Sequence, residues 1–117
     1  MDHSLKFAQE WIDAWNSRDL ERVLALYDDN AEMVSPHIVR LGINAEGRVR
    51  GKDSLRAYWS RALADNRDLQ FTLLEAFASP DSLVVRYRNQ KGHTVCEYLR
   101  FNRDGLIVQG SAHHLIE

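Results

Sequence analysis

Apolar residues recur at helical spacing from the start of the chain. Phe7, Ala8, Trp11, Ile12 and Trp15 make one stripe, and Gln9, Glu10 and Asp13 fall on the other side. This spacing predicts an amphipathic helix that Ser4 can cap and that Asn16-Ser17 ends. A second, shorter helix follows, capped by Ser17 or Asp19, with Leu20, Val23, Leu24 and Tyr27 turned inward. Asp28-Asp29-Asn30 has turn chemistry. Residues 31–35 read as a short extended segment stopped by Pro36. The stretch 37–51 is irregular, with glycines at 42, 47 and 51, and predicts a loop with one short strand near 46–50. A third helix starts after Gly51, with Asp53 as its expected cap and Leu55, Tyr58, Trp59, Ala62 and Leu63 as its buried face.

The period then changes from 3.6 to 2. Residues 69–79, 83–89, 94–102 and 106–116 alternate as strands. Pro80-Asp81, Lys91-Gly92 and Arg103-Asp104-Gly105 are the turns between them. Three helices followed by an antiparallel meander predict an α+β fold, with helices packed on one face of a curved sheet.

Composition adds bounds rather than identity. At 117 residues the chain suits one domain over residues 1–117. A net charge of −2 carries no footprint for nucleic acid or an anionic membrane. No apolar run is long enough to span a bilayer, and the first residues have no signal-peptide pattern. The lone Cys96 cannot form an internal disulfide, so a cytoplasmic setting is expected. No metal-ligand spacing or cofactor motif occurs. Arg40, Arg48, Arg50 and Lys52, interleaved with Glu46 and Asp53, read as a solvated loop.

The order of elements, Trp15-Asn16 through Asp19-Leu20, Leu26-Tyr27 with Asp28 to Ala31, Pro36, Gly51 to Leu55 with Tyr58-Trp59, and Leu99 to Asn102 with Asp104-Gly105 carry a resemblance. The chain resembles the nuclear transport factor 2-like superfamily, in its SnoaL-like and ketosteroid-isomerase-like branch. The resemblance implies a cone: three helices closing a curved antiparallel sheet around an apolar pocket. It also implies a homodimer through the outer sheet face. Val84, Cys96, Tyr98, Ile107 and Leu115 are the apolar groups expected there.

The same resemblance tests the best-known chemistry of that branch. The general-base position just before the proline is Ser35, and the oxyanion-donating tyrosine of the first helix is matched by Trp11. The second oxyanion donor is matched by Glu97. Steroid-type isomerisation by those groups is therefore not expected, since a serine has no base of its own and an indole is no acid.

Strand parity turns Glu97 inward with Val95, Leu99 and Phe101. The comparison turns Gly110, Ala112 and His114 inward, and one bulge would exchange His114 for His113. Glu97 and His114 are the expected catalytic acid–base pair, unless they only bond each other and fix the strands. Trp11, Trp15, Tyr27, Ser35, His37, Trp59, Leu99, Phe101 and Ala112 are the expected substrate contacts. The expected partner is a small hydrophobic ligand. Two functions fit: cofactor-free isomerase, dehydratase or cyclase chemistry on a hydrophobic oxygenated compound, or a non-catalytic ligand-binding or dimerisation module.

Overall fold

The structure is a computed structural model that describes residues 2–116. The first helix, α1 (Asp2–Ser17), already runs at Ser4, so Ser4 is not its cap. Its stripe is buried as the spacing requires: Ala8, Trp11, Ile12, Ala14 and Trp15 all join the core. Arg18 then turns the chain in the left-handed region at φ 62. Its guanidinium donates to the Leu63 and Asn66 carbonyls at 2.7 and 2.8 Å, satisfying acceptors at the end of the long later helix. Asp19 caps α2 (Leu20–Leu24) by accepting from the Arg22 N–H at 3.2 Å.

Tyr27 does not end that helix. It opens β1 (Tyr27–Val34). Asp28-Asp29-Asn30 is consequently not a free turn. Asp28 Oδ2 accepts from the Asn30 N–H at 3.0 Å inside the strand, where the pairing register shifts between Tyr27 and Glu32. The local turn chemistry is spent on a bulge that bends the strand.

Pro36 likewise begins an element. It occupies the first turn of α3 (Pro36–Arg40), and Ser35 caps that helix by accepting from the His37 N–H at 3.1 Å. Proline suits this position because its missing N–H would be unpaired there anyway. Among the described residues the helices therefore number four. The short strand β2 (Arg48–Arg50) follows, then α4 (Lys52–Asp65). Gly51, at φ 90, is the N-cap of α4 in place of Asp53. The Gly51 N–H is held by the Ala31 carbonyl at 2.8 Å, so the sheet decides where α4 begins.

The second half follows the alternation: β3 (Thr72–Ser79), β4 (Ser82–Arg88), β5 (Thr94–Phe101) and β6 (Ile107–His114). Their pairings are antiparallel, but β1 lies parallel to β6, and the six strands run in the order β2-β1-β6-β5-β4-β3. The result is a mixed α+β fold with helices on a curved, open six-stranded sheet. Asn16 fastens α1 to the sheet, donating to the Phe71 carbonyl at 2.8 Å and accepting from the Phe71 N–H at 2.7 Å.

One bulge corrects the expected outer face. Between Arg100 and Phe101 the register against β6 shifts, so Ile107 pairs with Phe101 and is fully buried. Ile107 cannot serve a dimer, and Leu115 lies past the end of β6. The same shift restores the expected parity further on: Gly110 and Ala112 are buried.

Candidate active site

The concave side of the sheet and the helices enclose an open cavity of about 390 Å3. Its wall is aromatic. Trp11 and Trp15 come from α1, Trp59 from α4, Phe71 from the entry to β3 and Tyr87 from β4. Trp15 and Trp59 meet edge to face at 5.1 Å, and Phe71 and Tyr87 lie 4.4 Å apart. Such rings make a flat apolar slot with polar groups only at chosen places.

Of the expected contacts, Trp11, Trp15, Ser35, His37, Trp59 and Ala112 line this cavity, as do Glu97 and His114. Three do not. Tyr27 stands behind the wall, fully buried, where its hydroxyl accepts from Trp11 Nε1 at 3.1 Å. That bond also occupies the indole N–H that stands where the branch has a proton donor. Leu99 is sealed in the core. Phe101 packs edge to face on Phe7 at 4.9 Å, beyond the bulge that ends the regular pairing.

Glu97 is 4% exposed. It sits opposite Val85 on one side and Ala112 on the other. Its Oε1 accepts from the Tyr87 hydroxyl at 3.1 Å. Burial pushes the carboxyl up to about 7, while the Tyr87 hydrogen bond pulls the other way. Tyr87 itself is driven far above the usual phenol range by burial and by Glu97, so it stays a donor. At neutral pH this carboxyl is present in both forms and can take or give a proton.

His114 pairs with Val95, two residues along the strand from the Glu97–Ala112 pair. Among the described residues no hydrogen bond joins it to Glu97, so the direct dyad expected from parity is replaced by a Glu97–Tyr87 pair. His113 points the other way, with Nε2 3.2 Å from Ser111 Oγ. His37 Nδ1 lies 3.5 Å from the Tyr58 hydroxyl at the mouth. Burial, and then Arg40, hold both His37 and His114 below the usual imidazole range. Tyr58 is pushed up to about 12, chiefly by burial. Among the described residues, no three His, Cys, Asp or Glu side chains are grouped to hold a metal.

The sequence reading overlooked Tyr87 as a partner. Its signal was present: Leu83, Val85 and Tyr87 alternate inward, and only the β4–β5 register was needed to place Tyr87 beside Glu97. Tyr87→Phe should therefore raise the Glu97 pKa above 7, read by carboxyl 13C titration. An unchanged or lower value would contradict the pairing.

The SnoaL-like domain family matches residues 8–110. The chain belongs to this SnoaL-like family. A SnoaL-like protein of unknown function from Burkholderia thailandensis is 40% identical, with a TM-score of 0.91 over 97% of this chain and 94% of that one. Two further solved structures share the fold. An NTF2-like protein from Burkholderia pseudomallei is 22% identical, with a TM-score of 0.78 over 98% and 92% of the two chains. A SnoaL-like family protein from Agrobacterium tumefaciens is 17% identical, with a TM-score of 0.78 over 99% and 100%. No curated protein matches the chain. In this SnoaL-like chain, Ser35 is a helix cap as well as a lining residue.

Proposed function

We propose that this SnoaL-like protein binds a small hydrophobic, oxygen-bearing compound and moves a proton on it, with Glu97 as acid and base. The chemistry is that of cofactor-free isomerases, dehydratases and cyclases. The observation that carries the reading is the Glu97 carboxyl itself: buried, facing an aromatic slot, and poised near 7. As the carboxylate, Glu97 takes a proton from a carbon beside a carbonyl. The acid form returns it to a second position. Tyr87 holds the carboxyl in place throughout, and Tyr58 and Ser35 offer hydroxyls to the ligand oxygen. His37 and His114 contact the ligand at the mouth.

Deuterium exchange into an enolisable aromatic ketone such as 2-tetralone tests this. Wild-type protein should catalyse exchange, and Glu97→Gln should lose it by about a hundredfold or more, the usual scale for a general base. No exchange above solvent, or equal exchange by the variant, would overturn the reading. The second reading is a binding module, favoured by the fact that Glu97 already has an internal partner in Tyr87.

We also propose a homodimer through the outer sheet face. Phe77, 54% exposed, pairs with Val84, and Val84 with Tyr98, making an apolar row across three strands. Half-buried Cys96 lies two residues from Tyr98 on β5, on the same face. Sedimentation should give twice the 13.5 kDa chain mass. A Phe77→Lys variant should shift it to the monomer, and a monomeric wild type would sink the interface.

A further inference from the structure

The mouth of the cavity gathers basic side chains from three elements. His37 and Arg40 project from α3, Lys91 and His93 from the β4–β5 turn, and His114 from the end of β6. Arg40, Lys91, His93 and His114 are exposed, and His37 is half-buried. Among the residues that line the cavity, the only carboxylate is Glu97, and that is deep inside. The whole chain nevertheless carries more Asp and Glu than Lys and Arg, 17 against 15. Neighbouring cations are neutralised: Arg48 and Arg50 by Glu32, and Lys52 by Asp29. Among the described residues no ion pair forms at Arg40 or Lys91. Arg40 thus parts from the solvated basic loop with which the sequence grouped it.

The cations are held where they are needed. Ser35 caps α3, which sets His37 and Arg40 one turn apart. Asn89 Oδ1 accepts from the Lys91 and His93 N–H groups, both at 3.0 Å, and shapes the opposite lip. Arg40 acts on both His37 and His114, so its field reaches across the opening, with Asp65 opposing it weakly at His37.

A second observation points inward. Trp15 is 7% exposed and lines the cavity, yet its indole N–H has no acceptor among the described residues. The nitrogen itself is sealed from the cavity, so it is the ring, not the N–H, that Trp15 offers to a bound molecule.

We propose that the ligand is an amphipathic anion: a flat hydrophobic body with a carboxylate, or a similar anionic group, held at the rim by Arg40 and Lys91. The body lies among Trp11, Trp15, Trp59 and Phe71. The rim histidines add donors, and protonate more readily once the anion is seated. This names the substrate class for the proton-transfer reading and rests on the same cavity.

Isothermal titration calorimetry with 2-naphthoate and 2-naphthamide tests it, because the two probes share a body and differ in charge. At low salt, wild-type protein should bind the carboxylate about tenfold more tightly than the amide. In the double variant Arg40→Gln, Lys91→Gln, and in the wild type at about 0.5 M salt, the preference should fall below about twofold. In both cases the fall should come chiefly from weaker carboxylate binding. Equal affinities in the wild type, a preference that survives the double variant or the added salt, or no binding of either probe would each overturn the proposal. Glu97→Gln should keep the preference while losing exchange, so failure of the proton-transfer reading and failure of this one are told apart.

Discussion

Glu97→Gln should make the folded chain more stable than the wild type above pH 7, while removing proton transfer. The Glu97 carboxyl stands at about 7 in the folded chain against an ordinary 4.5. Between those values the folded state keeps a proton that the unfolded state has released. Stability conferred by that carboxyl is therefore complete below 4.5, and is lost as the pH rises through 7. Two and a half pH units correspond to about 3 kcal/mol. A glutamine carries no charge at any pH, and its carbonyl can still accept from Tyr87. Urea unfolding at pH 5 and pH 8 should show the two proteins within about 1 kcal/mol at the lower pH. At pH 8 the variant should lead by about 2–3 kcal/mol. Parallel stabilities across that range would mean that Glu97 ionises normally and holds no strained charge. Such a gain in stability with loss of activity is what a destabilised active-site group predicts.

Trp11→Ala should be the costliest single truncation of the pocket wall. Trp11 is 1% exposed and packs against Trp15, Phe71 and Tyr87 at ring distances of 6.4, 6.3 and 5.6 Å. Its N–H is also the hydrogen-bond partner of the buried Tyr27 hydroxyl. Removing the indole widens a cavity that already exists, and the ring-lined walls cannot close over the gap. The expected loss is about 4 kcal/mol, a large share of the ~5–15 kcal/mol that holds a domain of this size. Trp11→Phe keeps most of the apolar contact and should cost only about 1–2 kcal/mol, mainly through the orphaned Tyr27 hydroxyl. A loss below about 1 kcal/mol in Trp11→Ala would show that the wall is not part of the core.

The helix α1, the buried face of α4 and the β3–β6 meander were legible in the sequence because their periods are clean over many residues. The exceptions share a cause. Tyr27 sits at a position that continues the α2 stripe, so nothing local says that a strand starts there. Pairing with β6, some eighty residues away in sequence, decides it. Ser35-Pro36 reads locally as a break, and becomes a cap and first turn only once the chain beyond it is seen to coil. Ile107 changed faces through one unpaired residue in β6, which period-2 counting cannot register. At the site, parity placed Glu97 and the family resemblance placed His114 in one cavity. Side-chain partners are a matter of cross-strand register and ångströms, and there Tyr87 took the place assigned to His114.

The central group is the Glu97 carboxyl, which burial inside an aromatic cavity pushes up to about 7. The direct measurement is a 13C NMR titration of the glutamate side-chain carboxyls in wild-type protein, with Glu97→Gln to assign the resonance. One carboxyl, absent from the variant, should titrate with a midpoint near 7. A Glu97 midpoint at or below the ordinary 4.5 would contradict the account, since the group would then be a fixed charge at neutral pH rather than a proton carrier.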